Sequence, residues 1–131
     1  MKKRIHELLE RAREVGWMME PDARELLKLY NLPVTNFRWV HTREDALKAA
    51  SEIGYPVVTK IVSPDIIHKS DAGGVRVGLK DEGQLSQAYD DLSRLKGFDG
   101  IIVDQMARGS ELIIGAKHDP QFGMVVLTGI G

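Results

Sequence analysis

The sequence predicts an α/β chain in which helices and strands alternate at first and strands take over later. Three observations predict it. Helix-period apolar stripes are separated by short β-branched runs at 57–62 and 75–79. From residue 101 onward, Ile101-Ile-Val103, Leu112-Ile-Ile114 and Met124-Val-Val-Leu127 read as strands, with no helical stripe between them. Finally, 43% of the 131 residues are hydrophobic, enough for one modest core. The prediction is an α/β (α+β) layer followed by the start of a mostly antiparallel sheet, with a change of subdomain near residue 104.

In chain order, Ile5, Leu8, Leu9 and Ala12 place a helix over 3–15, ended by Gly16. Pro21 stands where a helix begins, and Ala23, Leu26, Leu27 and Tyr30 give an i, i+3, i+4, i+7 stripe before Asn31 and Pro33 stop it. Thr42-Arg-Glu-Asp45 resembles a capping box, opening a helix with Ala46, Leu47, Ala50 and Ile53 inward until Gly54. Gly54 and Pro56 release the chain into the strand Val57-Val-Thr-Lys-Ile-Val62, and Val75 to Leu79 returns. Asp81-Glu-Gly-Gln84 caps a helix carrying Leu85, Ala88, Tyr89, Leu92 and Leu95, closed by Gly97 and Gly100. The ending Thr128-Gly-Ile-Gly131, in a glycine-containing turn directly after a strand, reads as an interrupted domain.

Composition narrows the function. Eighteen basic against 19 acidic side chains leave no general nucleic-acid or anionic-membrane surface, so any anion site is local. The absence of cysteine excludes disulfides and thiolate metal sites. No apolar run reaches the roughly 18 residues of a membrane helix, and the N-terminus lacks the apolar stretch of a signal peptide. The reading is a cytoplasmic protein with no nucleic-acid or membrane partner.

The most informative stretch is Gly54 to Leu79. A lysine inside the apolar run 57–62 must reach water or meet a negative partner, because an uncompensated buried ammonium is costly. Phosphate is one such partner; the plainer alternative is an edge-strand lysine whose amine snorkels to solvent. The loop His68-Lys69-Ser70-Asp71-Ala72-Gly73-Gly74 combines a nucleophile, a cation, a hydroxyl, a carboxylate and two glycines. Such a loop can wrap phosphate through backbone N–H groups, or it can merely turn the chain. It is neither a P-loop nor a G-x-G-x-x-G motif. Neutral His68 is a competent nucleophile toward a phosphoryl group. Arg76 could add a cation near phosphate. His6 and His41 read as surface positions and His118 as part of a turn, so no histidine metal site is expected. Glu111 follows Asp104-Gln105-Met106-Ala107 at a spacing compatible with a carboxylate on ribose and a segment facing adenine, or with an ordinary hairpin.

The run 54–79, with Ile102-Val-Asp-Gln-Met106, Gly109-Ser-Glu-Leu-Ile-Ile-Gly115 and Asp119-Pro-Gln-Phe-Gly123, closely resembles the β subunit of ADP-forming acetyl-CoA synthetase, or acetate–CoA ligase. The resemblance covers nearly the whole chain, including the lead-in Glu25 to Val34. H-K-S-D-x-G-G-V and D-P-Q-F-G are its most specific motifs. It implies an ATP-grasp fold divided as a helical lead-in 1–32, a first subdomain 33–103 and the start of a second at 104–131. Lys60 would be the lysine on the α- and β-phosphates of ATP or ADP, Asp104 to Ala107 the adenine linker, and Glu111 the ribose carboxylate. His68 would sit on a swinging loop and accept phosphate transiently, with Lys69, Ser70, Asp71, Gly73, Gly74 and Arg76 around the phosphate. The family implies a CoA-binding α subunit or fused α-like domain that forms an acyl phosphate, a hetero-oligomer, and Mg²⁺ whose acidic ligands are expected beyond Gly131, with none inside this chain. By the same reading, residues 1–131 hold half a nucleotide site and do not turn over alone.

Met124 stands where the family pattern has proline, and Thr128 where an aromatic is common. Two alternatives share much of this chemistry. One is a non-catalytic nucleotide-binding module regulating a fused acyltransferase, against which the retention of Lys60, His68 and Glu111 argues. The other is a succinyl- or malate-CoA ligase β subunit, which fits the motifs less well.

Overall fold

The computed structural model describes all residues, 1–131. The elements are α1 (Lys2–Val15), α2 (Glu20–Leu29), β1 (Phe37–Val40), α3 (Arg43–Ile53), β2 (Val57–Ile61), β3 (Val75–Leu79), α4 (Glu82–Ser93), β4 (Ile101–Gln105), β5 (Leu112–Asp119) and β6 (Gly123–Ile130). They form a four-stranded sheet of order β1-β4-β2-β3 and a separate β5-β6 hairpin. Every neighbouring pair is antiparallel. The units β1-α3-β2 and β3-α4-β4 therefore interleave, each crossing over one strand of the other.

The core lies between one face of this sheet and the helices α3 and α4. Val57, Ile61, Ile101 and Val103 meet Ala46, Ala49 and Ala50 of α3 and Leu85, Ala88 and Leu92 of α4. The small alanines let α3 approach the strands closely, and interior packing tolerates few voids. Local chemistry starts both helices. Thr42 Oγ1 accepts from the Asp45 N–H at 3.1 Å, and Asp81 Oδ1 from the Gln84 N–H at 2.9 Å.

Alternation along the strands assigns the other face. Val57, Thr59 and Ile61 point to the core, so Val58 and Lys60 point away from it. Lys60 pairs with Ile102 and Val75, and Val58 with Asp104, so Lys60 and Asp104 share this second face. Helix α2 sits over it, held by Arg24, whose guanidinium lies 4.8 Å above the Phe37 ring. Helix α1 is pinned to α2 by Arg4 on Glu25 and Arg11 on Asp22.

Three local expectations are corrected. Strand β1 had no reading in the sequence: its four residues, one of them Arg38, are too short for an apolar alternation to stand out, and the pairing with β4 makes it. His118 lies in β5 opposite Met124 rather than in a turn, because the reversal comes later, where Asp119 Oδ1 accepts from the N–H groups of Gln121 and Phe122. Helix α4 ends at Ser93, before Leu95 and the two glycines.

Strand β4 carries Asp104 and Gln105 within the first sheet, and the hairpin opens at Leu112. Apolar side chains from both of its strands face solvent, including Leu112, Ile114, Val126 and Ile130. No helix is long and apolar enough to cross a membrane.

Candidate nucleotide site

The face opposite the core carries a cleft of about 480 Å³, lined by Lys60, Lys69, Ser70, Glu20, Trp17 and Val75 among others. Three elements build it. Strand β2 supplies Lys60, the following loop supplies Lys69 and Ser70, and the first turn of α2 supplies Glu20. The segment between α1 and α2 is tied to the start of the loop by Trp17, whose Nε1 donates to the Pro64 carbonyl at 3.1 Å.

The electrostatics centre on Glu20. Its Oε1 accepts from Lys60 Nζ at 3.1 Å and from Arg24 Nη2 and Nε at 2.6 and 3.0 Å, and its Oε2 accepts from Lys69 Nζ. Arg24 also donates to Asp104 Oδ2 at 2.6 Å and to Thr35 Oγ1 at 2.8 Å, while the Thr35 hydroxyl donates to Asp104 Oδ1 at 2.6 Å. Asp104 is buried, and the two hydrogen bonds satisfy its carboxylate. Three cations thus face two carboxylates, leaving one positive charge over among partly buried side chains, where charge interactions are stronger than in bulk water.

The titration of these groups follows from their placement. Burial pushes the Glu20 carboxyl up, but the Lys69 hydrogen bond, the charges of Lys69 and Lys60 and the Arg24 hydrogen bond override it and hold the group at about 2. Burial pushes the Lys69 ammonium down, and Glu20 opposes this without fully restoring it, since Lys60 and Arg24 repel. Burial acts in the same sense on Arg24, yet its bonds to Asp104 and Glu20 raise it overall.

The structure brings Lys60, Lys69 and Ser70 onto one cleft and separates other expected site residues from it. His68 is exposed at the loop surface, beside Asp71 in a shallow depression. Arg76 pairs with Thr59, which places it on the face away from Lys60, and its Nη1 donates to the Gly73 carbonyl at 2.5 Å. Gly74 lies against β2: a Cβ there would strike Ile61 Cγ2 and lie 3.0 Å from the Lys69 carbonyl oxygen. Asp104 is spent on Arg24 and Thr35. The Gln105 N–H donates to the Asn36 carbonyl at 3.0 Å. Met106 and Ala107 follow in an open segment whose backbone groups make no such loop bond, and Glu111 is exposed one residue before β5.

Sequence reasoning missed Glu20, Arg24 and Thr35. The available signal was Asp104 at the end of the apolar run Ile101-Ile-Val103: a carboxylate entering a central strand requires a partner, just as Lys60 does. A divalent cation finds no ligand set among these residues. Both carboxylates in the cleft region are committed to cations or a hydroxyl, and no three His, Asp or Glu side chains converge elsewhere.

The fold is that of an ATP-grasp domain. The ATP-grasp domain family model matches residues 9–131, and the chain belongs to that family. The chain is 42% identical over 98% of its length to the acetate–CoA ligase (ADP-forming) I subunit beta of Pyrococcus furiosus, of which it covers 59%. It superposes on the acetyl-coenzyme A synthetase 1 of Ca. Korarchaeum cryptofilum, solved with coenzyme A and Ca-AMPCP, with a TM-score of 0.85 and 42% identity; 95% of this chain and 59% of that one are covered. With the same synthetase bound to coenzyme A and Mg-AMPPCP, its phosphohistidine segment pointing towards the nucleotide binding site, the TM-score is 0.74 at 40% identity, covering 97% of this chain and 57% of that one. The chain therefore spans a little over half the length of these relatives.

Proposed function

We propose that this chain is the nucleotide-binding part of an ADP-forming acyl-CoA synthetase, moving a phosphoryl group between His68 and ADP in acyl-CoA + ADP + phosphate ⇌ acid + CoA + ATP. One observation carries the reading: the ammoniums of Lys60 and Lys69 converge on a single cleft wall, and Lys69 directly follows the exposed His68. The cleft supplies fixed positive charge for phosphates, and the loop supplies a nucleophile with nothing covering it.

In the ATP-forming direction, the CoA-binding part forms the acyl phosphate, whose phosphoryl group passes to a histidine of that part with release of the carboxylate, and from there to a ring nitrogen of His68, freeing the first histidine. A β-phosphate oxygen of ADP then attacks the phosphorus, the P–N bond breaks, and ATP and neutral imidazole remain. Lys60 compensates charge on the nucleotide phosphates. Met106 and Ala107, whose backbone groups are free, face adenine, and Glu111 takes the ribose hydroxyls. The Korarchaeum synthetase, solved with a phosphohistidine segment directed at its nucleotide site, supports this division of labour. The CoA-binding partner, hetero-oligomeric assembly, Mg²⁺ and cytoplasmic location follow the same analogy.

The test is phosphate labelling of the enzyme as its gene encodes it, with any separate CoA-binding subunit present. With ATP carrying a marked γ-phosphate and Mg²⁺, acid-labile, base-stable label maps to His68 and is absent from His68→Ala. Nucleotide binding without any label would instead favour a regulatory module.

A further inference from the structure

Two ammoniums aimed into one cleft repel each other, and Lys60 and Lys69 come from separate segments with no covalent reason to converge. Glu20 supplies the reason. One of its oxygens accepts from Lys60 at 3.1 Å and the other accepts from Lys69, so a single carboxylate bridges the pair. The bridge is itself fixed. Arg24, one helical turn along α2, grips Glu20 through Nε and Nη2, and is anchored in turn by Asp104 and Thr35.

We propose that Glu20 is a positioning residue for the phosphate end of the site, holding Lys60 and Lys69 side by side and fixing the root of the His68 loop through Lys69. The proposal rests on the nucleotide reading above. A competing role, in which Glu20 plugs the cleft until phosphate displaces it, fits less well, because the Arg24 grip leaves the carboxylate no loose end. The charged groups facing Lys69 are Glu20 and Arg24 from α2 and Lys60 from β2; Asp104 of β4 acts only through Arg24.

The experiment compares steady-state kinetics with ADP across pH for the complete enzyme, Glu20→Gln, Lys69→Gln and Lys60→Met. Glu20→Gln is expected to raise KM for ADP about tenfold, the scale of one lost charge-assisted hydrogen bond, with kcat changed far less. Its alkaline limb moves to lower pH, because Lys69 loses the one carboxylate that opposes its burial. Adding Glu20→Gln to Lys69→Gln costs less than it does alone. A lower KM in Glu20→Gln would overturn positioning in favour of the plug, and an unchanged KM and alkaline limb would overturn both. Should Glu20→Gln fail to fold, Lys69→Gln decides: a raised KM with loss of the alkaline limb supports the proposal, and wild-type behaviour overturns it. Lys60→Met separates the two levels of argument. If it leaves KM for ADP unchanged, the nucleotide reading itself fails; if it raises KM while Glu20→Gln does nothing, only the role of Glu20 fails.

Discussion

The floor of the cleft and the tip of the adjoining loop are built on opposite plans, although Lys60 and His68 lie eight positions apart in the chain. On the floor, Lys60 and Glu20 line the cleft with Arg24 and Asp104 behind them, all on strands and a helix, and each of these charges has its partner. At the tip, His68, Ser70 and Asp71 are exposed, and the loop is held by its own short turns, the Ala72 N–H to the His68 carbonyl at 3.3 Å and the Gly73 N–H to the Ser70 carbonyl at 3.1 Å. Holding a polyphosphate calls for preorganised charge, whereas carrying a phosphoryl group calls for a segment that opens at low cost. On the function proposed above, one chain segment is divided between the two tasks.

The strongest way to break the floor is Asp104→Ala. It strips Arg24 and Thr35 of a buried carboxylate while leaving the guanidinium in place, which costs about 3 kcal/mol of stability, as removal of one partner of a buried ion pair does. A urea midpoint measured at constant m-value checks it. A loss below about 1 kcal/mol would mean that the network on the floor does not act as a unit. Gly74→Ala attacks the junction between the two plans. Its Cβ would drive Ile61 and the Lys69 carbonyl apart, where the Gly74 N–H donates to Lys69 at 2.6 Å and the Ile61 N–H to Gly74 at 2.8 Å. Overpacking of this kind costs about 1–3 kcal/mol. Limited proteolysis should show the loop cut faster even where the sheet survives.

The same contrast explains what could be read from the sequence. The four helices were legible because capping and apolar period are local, and β2 to β6 because their branched residues cluster. Strand β1 was not, since four residues acquire strand character only through β4. Lys60 was visible as a charge inside an apolar run, and His68 as a nucleophilic side chain in a polar, glycine-containing loop. Glu20 was not, because it meets Lys60 and Lys69 across 40 and 49 residues, and contacts at that range leave no periodic mark. Asp104, placed on an adenine linker by motif, is bound to Arg24 across 80 residues, a contact that only the packed structure displays.

A smaller effect separates the charges by pH. Glu20 is held at about 2 against an ordinary value of 4.5, so it contributes stability that is full above about pH 4.5 and is lost as pH falls toward 2. Glu25, lowered by Arg4, acts in the same direction, while Asp22, raised by burial, acts in the opposite one. Glu20→Gln should therefore be less stable than wild type near neutrality, and the gap should close between pH 4.5 and 2. Unfolding midpoints across that range check this, and a gap independent of pH would show that the carboxylate's charge is not what holds the floor.

The smallest effect on stability belongs to the residue with the largest expected effect on chemistry. His68 is exposed and no side chain bonds to it, so His68→Asn should shift stability by less than about 0.5 kcal/mol, as surface substitutions do. Nucleotide affinity, which the proposed function assigns to the floor, should also hold, while transfer of label to the loop disappears. A change in ADP affinity in His68→Asn equal to that in Lys60→Met would mean that floor and tip act as one body, and the division between holding and carrying would have to be abandoned. Unchanged affinity with transfer lost places the two functions on separately removable parts, because a fixed charge cluster binds whether or not a nucleophile is present to use what it holds.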